Sequence, residues 1–127
     1  MTTIKNSSTC VINIYYLYYR KEYFTFNGKI EGIYKEYYKN GQLSVIFNYK
    51  NGKLEGEFIL YRSNGKLDLL CNYKNNKLDG KYKLYYKNGQ LYKICNYKNG
   101  SLEGEYKEYL TDGQLTEICN YKNGIRE

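Results

Sequence analysis

One spacing governs the chain, and it is 24 residues. Gly32, Gly56, Gly80 and Gly104 recur at that interval, and so do Gly41, Gly65, Gly89 and Gly113. Leu43, Leu67, Leu91 and Leu115 keep it, as do Tyr49, Tyr73, Tyr97 and Tyr121. No insertion or deletion breaks the register from Gly32 to Gly124. A period this regular means stacked structural units, each in contact chiefly with its neighbours.

Every unit holds two turn signals, Lys39-Asn40-Gly41-Gln42 and Lys50-Asn51-Gly52-Lys53 in the first copy. Asn-Gly between apolar segments predicts a type I′ hairpin turn, with both central residues at positive φ. Two positions depart from it, Asn75-Asn76 and Asp112-Gly113, and both suit the same turn. Asn76 there carries a cost of roughly 1 kcal/mol relative to glycine. Turns 11 and 13 residues apart leave no room for the crossover, a dozen or more residues, that parallel strands require. Strands of about six to eight residues fit. The expected fold is all-β: an elongated single-layer antiparallel β-meander, a repeat array of β-hairpins. Residues 1–31 read as irregular N-terminal capping strands with a partial repeat (Asn27 to Glu31). Residues 32–127 read as four 24-residue repeats in one continuous domain.

Composition agrees. Aromatic residues make up 18% of the chain, 19 Tyr and 4 Phe, and rings favour strands. Proline is absent, so no residue is barred from the ladder. The rings form two rows, Tyr34, Phe58, Tyr82, Tyr106 and Tyr37, Tyr61, Tyr85, Tyr109. Three residues separate the rows, which sends them to opposite faces. One face takes most of the core, and the other keeps a partial apolar surface. Tyr37, Tyr61, Tyr85 and Tyr109 are thus candidate interaction residues.

A net charge of +7 attracts acidic protein, anionic lipid or nucleic acid, although A/T-rich codons alone would yield the same Lys, Asn, Tyr and Ile. Lys50, Lys74, Lys98 and Lys122 share one turn position and should line a long edge about 10 Å apart, a second candidate surface. Histidine is absent, which removes the usual general base and the commonest metal ligand. Glu31, Glu55, Asp79 and Glu103 recur beside a turn and read as a periodic row of solvated charges. Cys71, Cys95 and Cys119 share one position and read as buried filler, too far apart for disulfides.

The run Gly32-Ile33-Tyr34, Tyr37-Tyr38, Asn40-Gly41-Gln42-Leu43, Tyr49-Lys50-Asn51-Gly52 and Gly56 resembles the variant MORN repeat (membrane occupation and recognition nexus). The resemblance covers about Glu22 to Gly124, with Tyr or Phe where many members carry Trp. It implies a twisted antiparallel sheet with an aromatic-lined groove, used for protein–protein interaction and scaffolding, often in dimers, and for lipid binding in some members. It carries over no catalytic residues, and implies a source among bacteria or the large DNA viruses of amoebae.

The expected function is a non-catalytic module binding a protein partner or a second copy of itself as a homodimer. The alternative is peripheral binding to anionic lipid through the lysine-bearing turns. Nucleic acid stands third, although tyrosines beside lysines can stack bases. No cofactor or metal is expected. The N-terminus shows no secretory signal, so the expected location is intracellular and cytoplasmic, or the host cytoplasm or virion for a viral protein.

Overall fold

The computed structural model describes residues 10–15 and 20–127. The parts of the N-terminal cap that fall on residues 1–9 and 16–19 lie outside the described residues. Two strands open the sheet, β1 (Cys10–Tyr15) and β2 (Arg20–Phe26), followed by the two-residue β3 (Lys29–Ile30). The remainder repeats a long–longer–short triplet. Its copies are β4 (Gly32–Tyr37), β5 (Leu43–Lys50), β6 (Lys53–Leu54); β7 (Gly56–Tyr61), β8 (Leu67–Lys74), β9 (Lys77–Leu78); β10 (Gly80–Tyr85), β11 (Leu91–Lys98), β12 (Ser101–Leu102); and β13 (Gly104–Tyr109), β14 (Leu115–Lys122), β15 (Ile125–Arg126). All belong to one antiparallel sheet in which the long strands follow chain order. The meander expected from the turn spacing is the fold.

The two Asn-Gly turns of a unit differ. At the short turn, Asn51 (φ 54°) and Gly52 (φ 78°) are both left-handed, the type I′ geometry. At the long turn only the glycine is, with Gly41 at φ 88° and Asn40 at negative φ. Tyr38 N–H donates to the Gln42 carbonyl at 2.8 Å, and Gly41 N–H to the Tyr38 carbonyl at 2.9 Å. That is a three-residue loop closed by a glycine bulge, and it corrects the type I′ expectation for this turn. The asparagine is used for its side chain instead: Asn40 Oδ1 accepts the Gln42 N–H at 2.9 Å. Asp112 makes the same bond from Gln114 at 3.0 Å, which explains why an acid fits there. Asn76, at φ 70°, has compensation of its own, because its Oδ1 accepts the Leu54 N–H at 2.7 Å.

Between units the register slides. Tyr49 opposes Leu54 across the short hairpin, whereas Ile46 opposes Ile59 on the next long strand. Glu55 and Gly56 are the residues that accommodate the slip, with Glu55 N–H held by the Asn48 carbonyl at 3.0 Å.

Side chains stitch consecutive units along both long edges. On the long-turn edge they donate to backbone carbonyls. Tyr38 Oη donates to the Tyr61 carbonyl at 2.7 Å, the Arg62 guanidinium to Tyr85 at 2.9 Å, and Tyr86 Oη to Tyr109 at 2.7 Å. On the short-turn edge they accept from backbone N–H groups. The Glu31, Glu55, Asp79 and Glu103 carboxylates accept from Asn51, Asn75, Asn99 and Asn123 at 3.1, 3.1, 3.2 and 2.9 Å. The periodic acids are therefore acceptors for the next unit's turn, a role the reading as solvated charges did not contain.

Partners in an antiparallel ladder share a face and chain neighbours alternate. Tyr34 opposes Phe47, Phe58 opposes Cys71, Tyr82 opposes Cys95 and Tyr106 opposes Cys119. One column thus runs down one face. Its rings stack at 5.5 Å (Tyr23–Tyr34), 4.6 Å (Tyr34–Phe47) and 5.1 Å (Phe47–Phe58), each contact contributing about 0.5–1.5 kcal/mol beyond burial. Tyr73, Tyr97 and Tyr121 flank the column edge-on at 5.5–5.6 Å. Cys71 and Cys95 are 1% exposed, with Tyr34 and Val45 the next most buried at 8% and 6%. The core is this column.

Candidate interaction face

The opposite face is organised in rows that cross the units. Tyr37 opposes Leu43, Tyr61 opposes Leu67, Tyr85 opposes Leu91 and Tyr109 opposes Leu115. The result is a row of tyrosine–leucine pairs, one per unit, beside the long-turn edge. Its members are half-buried down to Tyr109, and Leu115 is exposed. The next row inward is Lys35, Ile46, Ile59, Leu70, Lys83, Ile94, Lys107 and Ile118. Lys50, Lys74, Lys98 and Lys122 close the far border, each exposed.

Both residue sets singled out from sequence therefore lie on the same face of the sheet, opposite the core column. They are not in contact, because the length of a strand separates them. What sequence reasoning missed is the leucine half of these pairs. Leu43, Leu67, Leu91 and Leu115 were visible as a periodic row, but the bulge that sets each against a tyrosine (Ser44 in the first unit) was not.

Charges on this face are partly paired. The Arg20 guanidinium covers the Tyr37 ring at 4.0 Å, and Tyr37 Oη donates to Glu22 at 3.1 Å. Lys107 pairs with Glu105 at 2.9 Å. Near β2 the face dips into a cavity of about 450 Å³ lined by Glu22, Tyr23, Phe24, Ile33, Lys35 and Ile46. Cavities of about 440 and 400 Å³ flank the Asn51-Gly52 turn; Lys50, Lys53 and Lys74 are among the residues lining the second.

On the core side, burial pushes the Cys71 thiol up to about 11 and raises Cys95, the reverse of what an activated nucleophile needs. Burial likewise raises Tyr34, Tyr73, Tyr82 and Tyr97. Lys93 sits over the Tyr82 and Tyr106 rings at 5.5 and 5.8 Å. Cys71, Cys95 and Cys119 are free thiols. Among the described residues no group of three metal-ligating side chains converges, and no helix is long and apolar enough to cross a membrane.

A family profile described as "MORN repeat variant" matches residues 30–51, 54–75, 78–99 and 102–123. The chain belongs to the MORN repeat variant family. The four matches share the 24-residue spacing and together span most of the chain. No curated protein gave a match. MORN repeats in general form non-catalytic modules that bind proteins or lipids, so the class of function follows from membership while the partner does not.

Proposed function

We propose that this MORN-repeat chain is a non-catalytic scaffold whose partner, another protein or a second copy of itself, docks on the face carrying Tyr37, Tyr61, Tyr85 and Tyr109. One observation carries the reading: a tyrosine–leucine pair recurs in all four units on the face opposite the core column. Tyrosine is enriched at the centres of protein interfaces because it offers rigid apolar area with a polar tip. The free thiols Cys71, Cys95 and Cys119 suit a reducing, cytoplasmic setting. Self-association is the first case to test, by sedimentation equilibrium at micromolar concentration. Replacing Tyr61 and Tyr85 with Gln should shift the protein to monomer with its strand spectrum intact, whereas replacing Lys50 and Lys74 with Gln should leave the dimer in place. A 15.2 kDa wild-type species at every concentration would remove the second copy as partner.

A second reading uses the far border of the same face. Lys50, Lys74, Lys98 and Lys122 are exposed, and such a row would contribute about 1 kcal/mol per lysine at an anionic membrane, weakening with salt. Sedimentation with phosphatidylserine vesicles at physiological salt, lost when all four become Glu, would favour it over the first.

A further inference from the structure

The chain repeats Asn-Gly, a pair whose chemistry is intramolecular. The backbone nitrogen of the glycine, on losing its proton to solvent base, attacks the asparagine Cγ. A C–N bond forms, the Cγ–Nδ2 bond breaks, and ammonia leaves behind a five-membered succinimide. Water then opens the ring at one carbonyl to give Asp, or at the other to give isoaspartate, in which the main chain runs through Cβ. No oxidant is needed, and water is the only co-reactant. Two things slow the step: a hydrogen bond on the glycine N–H, which must open before deprotonation, and bonds that pin the asparagine amide.

The Asn-Gly pairs of this chain differ from one another on both counts. At the long turns, Gly41, Gly65 and Gly89 donate their N–H to the Tyr38, Arg62 and Tyr86 carbonyls at 2.9, 2.8 and 2.9 Å. Their asparagines are pinned as well: Asn40 Nδ2 donates to the Ser63 carbonyl at 2.8 Å and Asn88 Nδ2 to Thr111 at 2.9 Å, while Oδ1 of Asn40, Asn64 and Asn88 accepts a backbone N–H. At the later short turns, Gly100 and Gly124 donate to the Leu78 and Leu102 carbonyls at 2.8 and 2.9 Å. At Asn51-Gly52, as at Asn27-Gly28 on the incomplete N-terminal unit, the described residues engage neither the glycine N–H nor the asparagine side chain; the Asn51 N–H alone is held, by Glu31. A Cβ placed on Gly52 would meet nothing within 4 Å, and Asn51 lines both of the cavities beside the turn.

We propose that Asn51 is a self-modification site, converting through a succinimide to aspartate and isoaspartate while the fold protects Asn40, Asn64 and Asn88. The product places a carboxylate between Lys50 and Lys53 and beside the Glu31 carboxylate that holds the Asn51 N–H. It lowers the charge of the lysine border by one. It also sets like charges against each other at the joint between two units, and isoaspartate lengthens the backbone of a turn that needs two consecutive left-handed residues.

The test is ageing of the intact folded protein at mildly alkaline pH, followed by peptide mapping by mass spectrometry and enzymatic isoaspartate methylation. Asn51 should convert about tenfold or more faster than Asn40, Asn64 and Asn88, the factor associated with opening one or two hydrogen bonds, with Asn99 and Asn123 between. In urea the same pairs should converge to similar rates, since sequence context is then all that distinguishes them. Conversion of Asn40 or Asn88 as fast as Asn51 in the folded protein would overturn the proposal. So would a folded protein that preserves Asn51 while the unfolded chain loses it.

Discussion

The two long edges of the sheet do the same job with opposite chemistry. On the long-turn edge, side chains supply hydrogen to the next unit's carbonyls: Tyr38, Arg62 and Tyr86 on Tyr61, Tyr85 and Tyr109. On the short-turn edge, carboxylates receive hydrogen from the next unit's N–H groups. The donors vary in type, Tyr, Arg, Tyr, because any side chain long enough to place a hydrogen near the carbonyl will serve. Four of the acceptors are Asp or Glu, and the fifth is the Asn76 amide oxygen on the Leu54 N–H. A carboxylate binds an N–H more strongly than a neutral oxygen does, and the turn N–H it meets faces solvent that competes for it.

The largest expected effect tests the turns themselves. Gly89→Val forces a β-branched residue to φ 90° and should cost about 2 kcal/mol or more by thermal or urea denaturation. The counterpart on the other edge, Gly100→Asn, should cost under about 0.5 kcal/mol, because asparagine tolerates the left-handed region and Asn76 already occupies that position at φ 70°. Equal losses would erase the distinction between the turn classes.

Next comes the stitching. Tyr38→Phe removes the hydroxyl and leaves the Tyr61 carbonyl to water, for an expected loss of about 1 kcal/mol. Glu55→Gln keeps an oxygen on the Asn75 N–H but not the charge, so its loss should be about half that. A double-mutant cycle of the two should be additive, since they bind opposite edges. The edges should also part company in alkali. Burial and the neighbouring Tyr92 and Glu108 raise the Tyr86 phenol above its ordinary 10.0. The folded state therefore keeps that proton more tightly than the unfolded chain does. The contribution of Tyr86 is complete below pH 10 and fades as pH rises through the elevated folded value, and Tyr86→Phe should abolish this part of the alkaline decline. The smallest effect is expected at Leu110, which stands where Tyr38 and Tyr86 stand and is 46% exposed. Leu110→Tyr, an exposed substitution, should change stability by less than about 0.5 kcal/mol.

Strand number, direction and order were legible because glycine and asparagine punctuate the chain at fixed intervals and leave one connectivity. The difference between the turns was not, because both read Asn-Gly. The clue lay in the exceptions. An acid replaces the first residue at Asp112, where the side-chain oxygen is what matters, and an asparagine replaces the second at Asn76, where positive φ is what matters. The acid row was legible as a period but not as a set of acceptors, since each partner lies 20 residues downstream, in another unit. The tyrosine row and the lysine row were each legible as rows. That leucines complete the first depends on the bulge in every second strand, which no residue type announces.

The slip of register at Glu55-Gly56 and its copies has a mechanical consequence. Each unit touches chiefly its neighbours, and each joint is a short stretch of ladder, Val45–Leu60 and Ile46–Ile59 in the first case, with a few side-chain bonds at either edge. A load applied at Arg20 and Lys122 runs across the strands and passes through every joint of the series in turn, so the weakest joint opens first. The array should yield one unit at a time. Each 24-residue unit would pay out roughly 80 Å of extended chain from about 10 Å of folded width, and could re-form on its neighbour when the tension falls. An array built this way lengthens under strain without losing the units that remain engaged.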